Sequence, residues 1–539
     1  MQEYSQLSVL IVDPNLGMRA SVQDMLNQSG VTRIDYAVSA GIAIGLLRRQ
    51  SFDIILCEYE LGGQEGQDGQ QLLEDLRQHK LIGELTIFIM LTAESGHARV
   101  LGAAELKPTD YILKPFTLRV LSERIERALE RRAIFLPVHQ MIAKGNVREA
   151  ITMCGAAGRR HPRHVAEFAR LRAELHQGLG EAVQAGQLYH AILSTRPVGW
   201  AHLGLAGSLF QQQRYDEAQD TLSKLVQQNP VYMDAYDMLV QTHEAMGQTA
   251  QAKKLLEDAV GISPHKVRRL RRLGQVSLET GDIAAAERAF RNVVEKARHS
   301  TFRDPEDHVN LVKTLVRKGD AGQAGAILRD LERSLRGHAH TEVCRAISAA
   351  LLLESEGNKA ASARELDLAA SAVGSSPGLS SQLKIGLVHS CLENRRDASA
   401  SLVMLAMMNE ADSGMSMEQA VAVFEKAGRH DLAQGMDAQV KSQVQELMLA
   451  ASEKSNQGDH RSAVTALAQA LRRMPANLQL LLASVTAIFR HLDELGWEAA
   501  LAEQCQAQLQ TLLHLDATPP LLDSLRQQYA AIRRKYGIS

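Results

Sequence analysis

Short apolar runs alternate with amphipathic stretches over roughly the first 130 positions, and amphipathic stretches alone fill the remainder. Continuous apolar runs are the mark of strands buried on both faces, and apolar spacing near 3.6 is the mark of helices. Residues 7–13, LSVLIVD, predict a strand, and residues 18–30, MRASVQDMLNQSG, a helix that ends at glycine. A second strand follows at 34–39, then a helix at 40–50 weakened by two glycines. The run DIILCE at 53–58 predicts a third strand ending in an acid, and 69–80 a helix. The fourth strand is TIFIMLTA at 86–93, with a weak helix after it at about 96–107. DYILKPF at 110–116 gives a short fifth strand and turn, and 117–132 a strong closing helix. Such strand–helix units predict a doubly wound parallel α/β sheet with right-handed crossovers. Function in such sheets sits at the carboxyl ends of the strands.

From about residue 133 the strand pattern stops and a repeat with a period near 34 takes over. Pro162, Pro197, Pro230 and Pro264 close successive units, and Ala150, Ala185, Ala218 and Ala252 each lie twelve positions earlier. This is the pattern of tetratricopeptide repeats: paired helices with a small residue at their crossing, each pair burying its faces on its neighbours. The clearest unit carries Tyr236, Leu239, Gly247, Ala252, Leu256, Ala259 and Pro264, and a late one restores Gly458, Ala463, Leu467, Ala470 and Pro475. Between about 340 and 440 the units are degenerate, with SEGNKAAS, LENRRDAS and KAGRHDLA still marking hairpins. The expected organisation is a sheet domain over 6–130, about eight to ten helical hairpins over 133–476, and capping helices over 477–539. At the junction the closing helix is expected to stop near Arg132, with Pro137 starting a new segment.

Composition excludes several function classes. A net charge of -2 and a pI near 6.8 give no basic footprint, and only 4% aromatics disfavour base stacking, so no nucleic acid is expected. No basic-then-apolar leader and no run of about 18 apolar residues is present, so neither a signal peptide nor a membrane span is expected. Cys57, Cys154, Cys344, Cys391 and Cys505 follow no zinc or disulfide spacing, which places the chain in a reducing cytoplasm.

Four landmarks fall at strand ends in order. The first strand ends IVDPN, with Asp13 and Pro14; the third ends LCEYE, with Glu58; the fourth ends MLTA, with Thr92 and Ala93; the fifth gives DYILKPF, with Tyr111, Lys114 and Pro115. In this order they resemble the receiver domain of bacterial response regulators, and the resemblance implies a flavodoxin-like fold of five parallel strands. It places Glu58 at the phosphoacceptor position, Asp13 at the first acid, Thr92 and Ala93 at the end of strand four, Tyr111 at the aromatic switch, and Lys114 with Pro115 at the phosphate-binding end. Asp13, Glu58 and the Glu60 carbonyl would be the Mg²⁺ ligands. An acyl-phosphate site needs a carboxylate nucleophile, a cation to neutralise phosphoryl charge, and a lysine and hydroxyl to hold phosphate oxygens.

Two positions depart from the family pattern. Pro14 stands where the second acid would ligate the metal, and Glu58 is longer than aspartate by one methylene, about 1.5 Å. Mg²⁺ demands near-ideal octahedral geometry at roughly 2.0–2.1 Å. Both changes act on the same cation, so no cofactor, or only weak Mg²⁺, is expected, and a pseudo-receiver is favoured. Glu58 keeps three readings: a residual phosphoacceptor, a fixed charge that imitates the phosphorylated state with Lys114 as counter-ion, or an inert replacement.

The densest basic cluster, HKVRRLRRLGQ at 265–275, falls on the first helix of a repeat. Arg268, Arg271 and Arg272, with Asp237 on the preceding repeat, are candidate groove residues for an acidic peptide; the plainer reading is a face balanced by Asp234, Asp237 and Glu244. Mixed sign favours a protein partner. Trp200 and Phe210 are expected to pack within the solenoid, and His79 and His97 to be surface residues. The segment 60–70 reads as a loop beside the acidic pocket. No helix-turn-helix follows the sheet domain and no catalytic constellation appears in the repeats. The order of parts is similar to response regulators of the VieB type, whose output is a tetratricopeptide array, and residues 100–117 are close to that group's pattern. The resemblance implies a non-enzymatic two-component signalling adaptor. It binds a protein through the repeats, with a histidine kinase or another response regulator as candidate partner. A homodimer through the receiver face at about 97–130 is a further candidate. Two alternatives stand beside it: a phosphorylatable regulator that sequesters a histidine kinase, and a scaffold whose receiver only dimerises.

Overall fold

The five apolar runs form one sheet. In the computed structural model β1 (Ser8–Val12), β2 (Arg33–Ala37), β3 (Ile54–Glu58), β4 (Ile87–Thr92) and β5 (Asp110–Leu113) pair all-parallel in the order β2-β1-β3-β4-β5. The structure describes residues 4–61, 68–93, 108–264, 266–298, 302–376, 378–409, 417–473, 477–514 and 519–536. The expected weak helix at about 96–107, with His97 and the 97–107 part of the dimer face, lies outside these residues, as do 62–67 of the loop beside the pocket.

Burial explains the strand patterns. Val9 to Val12 of β1 and Ile54 to Cys57 of β3 are fully buried between helices on both faces, as apolar runs on central strands require. The edge strand β2 is largely exposed and is correspondingly polar. The helices α1 (Leu16–Gln28), α2 (Ala40–Leu47) and α3 (Gly69–Gln78) start where a side chain can accept from an otherwise unpaired backbone N–H. Asn15 caps α1, Ser39 caps α2, and Asp68 with Gln71 forms a reciprocal capping box at α3. The two glycines of α2 do not stop it, because Ala40, Ala43, Ile44 and Leu47 are buried against the sheet.

The junction corrects the sequence expectation. The closing helix does not stop near Arg132; it runs unbroken as Leu118–Ala143 with Pro137 inside it. An interior proline removes one hydrogen bond and costs about 3 kcal/mol. Burial of Phe135 and Val138 against Cys154 and Phe168 of the first hairpin offsets this. Each such side chain contributes roughly 1.5–3 kcal/mol, and the Phe135 and Phe168 rings stack at 4.3 Å between centroids. The same helix buries Leu121, Ile125, Ala128 and Leu129 against the sheet.

The chain forms two compact units, Met1–Lys318 and Gly319–Ser539. In the first, helices Val147–Arg160, Val165–Gly178, Ala182–Thr195, Gly199–Gln211, Tyr215–Gln228, Met233–Ala245, Thr249–Ile262, Val267–Glu279, Ile283–Ala297 and Pro305–Lys318 follow the shared helix. The second unit is also helical, from Ala321–Ser334 to Pro519–Lys535. One of its helices, His430–Asn456, has 27 residues and lies between the expected hairpin turns KAGRHDLA and NQGDHRSA. Near its end Phe489 and Tyr529 stack at 6.0 Å, and Tyr529 donates to the Ala502 carbonyl at 3.1 Å.

One rule organises the hairpins. Gly145, Gly180, Gly247, Gly281, Gly319, Gly357, Gly428 and Gly458 each adopt positive φ at the turn, and five residues later stands a buried small residue: Ala150, Ala185, Ala252, Ala286, Ala324, Ser362, Ala433 and Ala463. Two further turns keep the spacing without glycine. Gln213 (φ 60°) precedes Ala218, and Arg395 (φ 54°) precedes Ala400, both alanines fully buried. A side chain in this left-handed region is strained by about 1 kcal/mol. Gln213→Gly and Arg395→Gly are each expected to raise stability by about 0.5–1 kcal/mol in urea unfolding. Gly274→Ala is expected to lower it by about 1–3 kcal/mol, because a Cβ there would stand 2.7 Å from the Phe290 ring.

Candidate functional site

The parallel register brings the carboxyl ends of four strands to one rim. Val12 pairs with Cys57, Glu58 with Leu91, and Thr92 with Leu113, so Asp13, Glu58, Thr92 and Lys114 end their strands side by side. The backbone continues this alignment: Asp13 N–H donates to the Ala37 carbonyl at 3.0 Å, and Lys114 N–H to the Thr92 carbonyl at 2.8 Å.

The Lys114 side chain joins two carboxylates that are distant in sequence. Its Nζ donates to Asp13 Oδ2 at 3.1 Å and to Glu58 Oε2 in a short contact. The three side chains are 12%, 2% and 13% exposed respectively, so the charges interact with little screening. Glu58 Oε1 turns the other way and accepts from the Tyr59 N–H at 2.7 Å and the Glu60 N–H at 3.2 Å. Asp13 Oδ1 accepts from the Asn15 N–H at 2.8 Å, and the Asp13 carbonyl accepts from Arg19 Nη1 at 2.6 Å. Both acids therefore have a donor on each oxygen, one of them the same ammonium.

Thr92 is buried at the rim, Ala93 is exposed beside it, and Pro115 follows Lys114 in a cis peptide bond. Tyr111 packs against the apolar cluster of one sheet face, and burial pushes its phenol well above the usual value. Beneath Glu58, Cys57 is wholly buried; burial first, then the nearby Glu58, Asp68 and Asp13, push its thiol well up, so it is not a nucleophile at neutral pH. The start of α3 leans directly on the site: Gly69 N–H donates to the Tyr59 carbonyl at 2.7 Å, and a Cβ on Gly69 would stand 2.4 Å from the Glu58 carbonyl oxygen. Only glycine fits there, a close approach that the sequence does not signal.

The fit to a divalent cation is poor on the donor set itself. Pro14 offers no side-chain oxygen, and the ammonium of Lys114 already lies against Asp13 and Glu58. Glu60 is exposed and presents its N–H to Glu58. Among the described residues no cluster of three or more His, Cys, Asp or Glu side chains could hold a metal.

The groove candidates are engaged in cross-helix pairs. Arg271 grips the buried Asp307 through two contacts of 2.6 and 2.8 Å, and Arg272 meets Glu244 at 2.6 Å. Asp237 accepts from Arg269 at 2.8 Å and from Lys266 at 2.9 Å. Burial alone would raise the Asp237 carboxyl, but the Arg269 and Lys266 charges hold it below the usual range. Arg269, only 2% exposed, carries a role that the basic pattern did not single out. Arg268 is exposed. Trp200 packs in the second hairpin region with Arg170 5.6 Å from its ring, and Phe210 lies edge-on to Tyr215.

Residues 9–126 match the family model of the response regulator receiver domain, and residues 200–230 and 244–306 match models of tetratricopeptide repeats. The chain is similar to the chemotaxis protein CheY of Pseudomonas aeruginosa, at 31% identity over 125 residues that make up 23% of this chain and 98% of that protein. It is similar to the chemotaxis protein CheY-3 of Vibrio cholerae serotype O1, at 30% identity over 23% of this chain and 93% of that protein. A solved structure of the response regulator CheY4 of Vibrio cholerae aligns with 23% of this chain and 98% of its own, at 21% identity and a TM-score of 0.21. One of Pseudomonas aeruginosa pilF aligns with 40% of this chain and 96% of its own, at 17% identity and a TM-score of 0.31. Through its N-terminal domain the chain belongs to the response regulator receiver family, with tetratricopeptide repeats joined behind it.

Proposed function

We propose that the protein is a non-enzymatic adaptor of two-component signalling, in which the repeats bind a protein partner and the receiver sets or supports that binding without ordinary aspartyl phosphorylation. The observation that carries this reading is the Lys114 ammonium held between Glu58 and Asp13. In a phosphorylatable receiver that lysine answers the phosphoryl group; here a carboxylate fixed in the sequence answers it. The longer Glu58 side chain reaches Lys114 and still satisfies its second oxygen on the Tyr59 and Glu60 amides. A divalent cation would neutralise phosphoryl charge, but these residues do not fit one, and no step passes through it. Glu58 thus serves as a standing counter-charge, which supports the pseudo-receiver reading. The mixed-sign faces of the repeats fit a protein partner, for which a histidine kinase or a second response regulator is the first candidate.

Three outcomes test this. With acetyl phosphate and Mg²⁺, mass spectrometry is expected to find no adduct at Glu58, and the double change Pro14→Asp with Glu58→Asp is expected to restore labelling. An adduct on the unmodified chain would favour a regulator that drains a histidine kinase. Lys114→Ala leaves two nearly buried carboxylates without their cation and is expected to destabilise the receiver by about 3 kcal/mol in chemical unfolding. Partner capture by Glu58→Gln is expected to differ from that of the unmodified chain; equal recovery of the same partner would reduce the receiver to a scaffold.

A further inference from the structure

Seven residues, 298–304, separate helices Ile283–Ala297 and Pro305–Lys318, whereas four, 263–266, separate Thr249–Ile262 from Val267–Glu279. The longer connection carries an aromatic residue, Phe302, that no repeat pattern requires. Its ring packs against the apolar cluster of the receiver sheet. The His79 ring, just past the end of α3, stacks on it at 3.6 Å between centroids and 10° between planes. The Arg48 guanidinium, at the end of α2, lies 5.2 Å from the ring centre. Two receiver helices thus end on one side chain from the connection between Ile283–Ala297 and Pro305–Lys318. Around it a cleft is lined on the receiver side by Glu74 and Asp75, and on the repeat side by Arg268 and Lys296 together with Arg271, whose charge is paired with Asp307, so Arg268 and Lys296 give the repeat side the opposite sign.

We propose that Phe302 is a clasp that docks the α3 side of the receiver on the repeat helix Val267–Glu279, making the repeats' basic surface an intramolecular binding site for the receiver's own acidic α3. The clasp lies on a direct route from the pocket. α3 begins at Gly69, packed on the Glu58 carbonyl, and ends at His79, packed on Phe302. A substitution at Glu58 that moves the start of α3 therefore shifts its far end against the clasp, and an acidic partner of the repeats competes with α3 for the cleft that Arg268 and Lys296 line. The signalling use of the clasp rests on the adaptor function proposed above; the contact itself is tested separately from it.

The test is amide hydrogen exchange on the full chain, comparing the unmodified protein with Phe302→Ala, Phe302→Tyr and His79→Ala. Phe302→Ala and His79→Ala are expected to speed exchange of α3 and of Val267–Glu279 by about threefold to tenfold, the scale of one lost ring pair. The double variant is expected to add little to either, because both remove one contact. Phe302→Tyr keeps the ring and is expected to match the unmodified chain, and helices Val147–Arg160 and Val165–Gly178 are expected to be unaffected. Unchanged exchange of α3 in Phe302→Ala would overturn the clasp. So would equal acceleration in the 147–178 hairpin without rescue by tyrosine, since Phe302 would then act only on general stability.

Discussion

One helix belongs to two folds, and the first unit depends on it. Leu118–Ala143 closes the sheet with its first half and opens the solenoid with its second. A helix fixes the angle between any two of its faces through its 3.6-residue turn. The burial of Leu121, Ile125 and Leu129 on one domain therefore sets where Phe135 and Val138 point on the other. Polar contacts lock the same joint: Arg132 pairs with Asp53 of the sheet at 2.8 Å, and Arg131 with Glu167 of helix Val165–Gly178 at 2.6 Å. A flexible tether would leave the receiver's orientation to chance, whereas this joint makes orientation a property of side-chain packing.

At the rim, electrostatics governs position more than stability. An ammonium about 3 Å from a carboxylate gains roughly 5 kcal/mol at an effective dielectric near 20. Withdrawing the two ions from water costs several kcal/mol each. These terms nearly cancel, so the Asp13–Lys114–Glu58 group contributes little net stability while its geometry is strongly held. The backbone amides on the remaining carboxylate oxygens add to that hold. Such a site is stiff and costly to break from one side, which suits a fixed signal better than a titratable one.

The sheet was legible because central parallel strands must be apolar along their whole length, and the four landmarks stood at the ends of those runs. The contact of Glu58 with Lys114 was one of three readings that the receiver resemblance left open, because β3 and β5 are not neighbours and β4 lies between them. Other features escaped because they are decided by tertiary contact. The rule that proline begins a segment is local, and it lost at Pro137 to the packing of Phe135 and Val138. At Gln213 no glycine signals the left-handed residue, and at Arg395 the stretch LENRRDAS marked the hairpin without showing which residue takes that conformation. The basic stretch after 265 announced charge, but its partners Glu244 and Asp307 lie 28 and 36 residues from Arg272 and Arg271 and show no local pattern. Phe302 carries no local signal, because its neighbours, His79 and Arg48, come from the other domain.

The constant five-residue step from turn to buried small residue makes the interior of each hairpin intolerant of length change. Adding one residue there would rotate the second helix by about 100° and swing its small residue out of the crossing. Between hairpins no such phase is imposed, and the connections there run from three residues, at 196–198, to seven, at 298–304 and at 374–380. The array therefore has fixed cells and elastic seams. New contacts enter by lengthening a seam, and the Phe302 connection is a seam that has been used in this way.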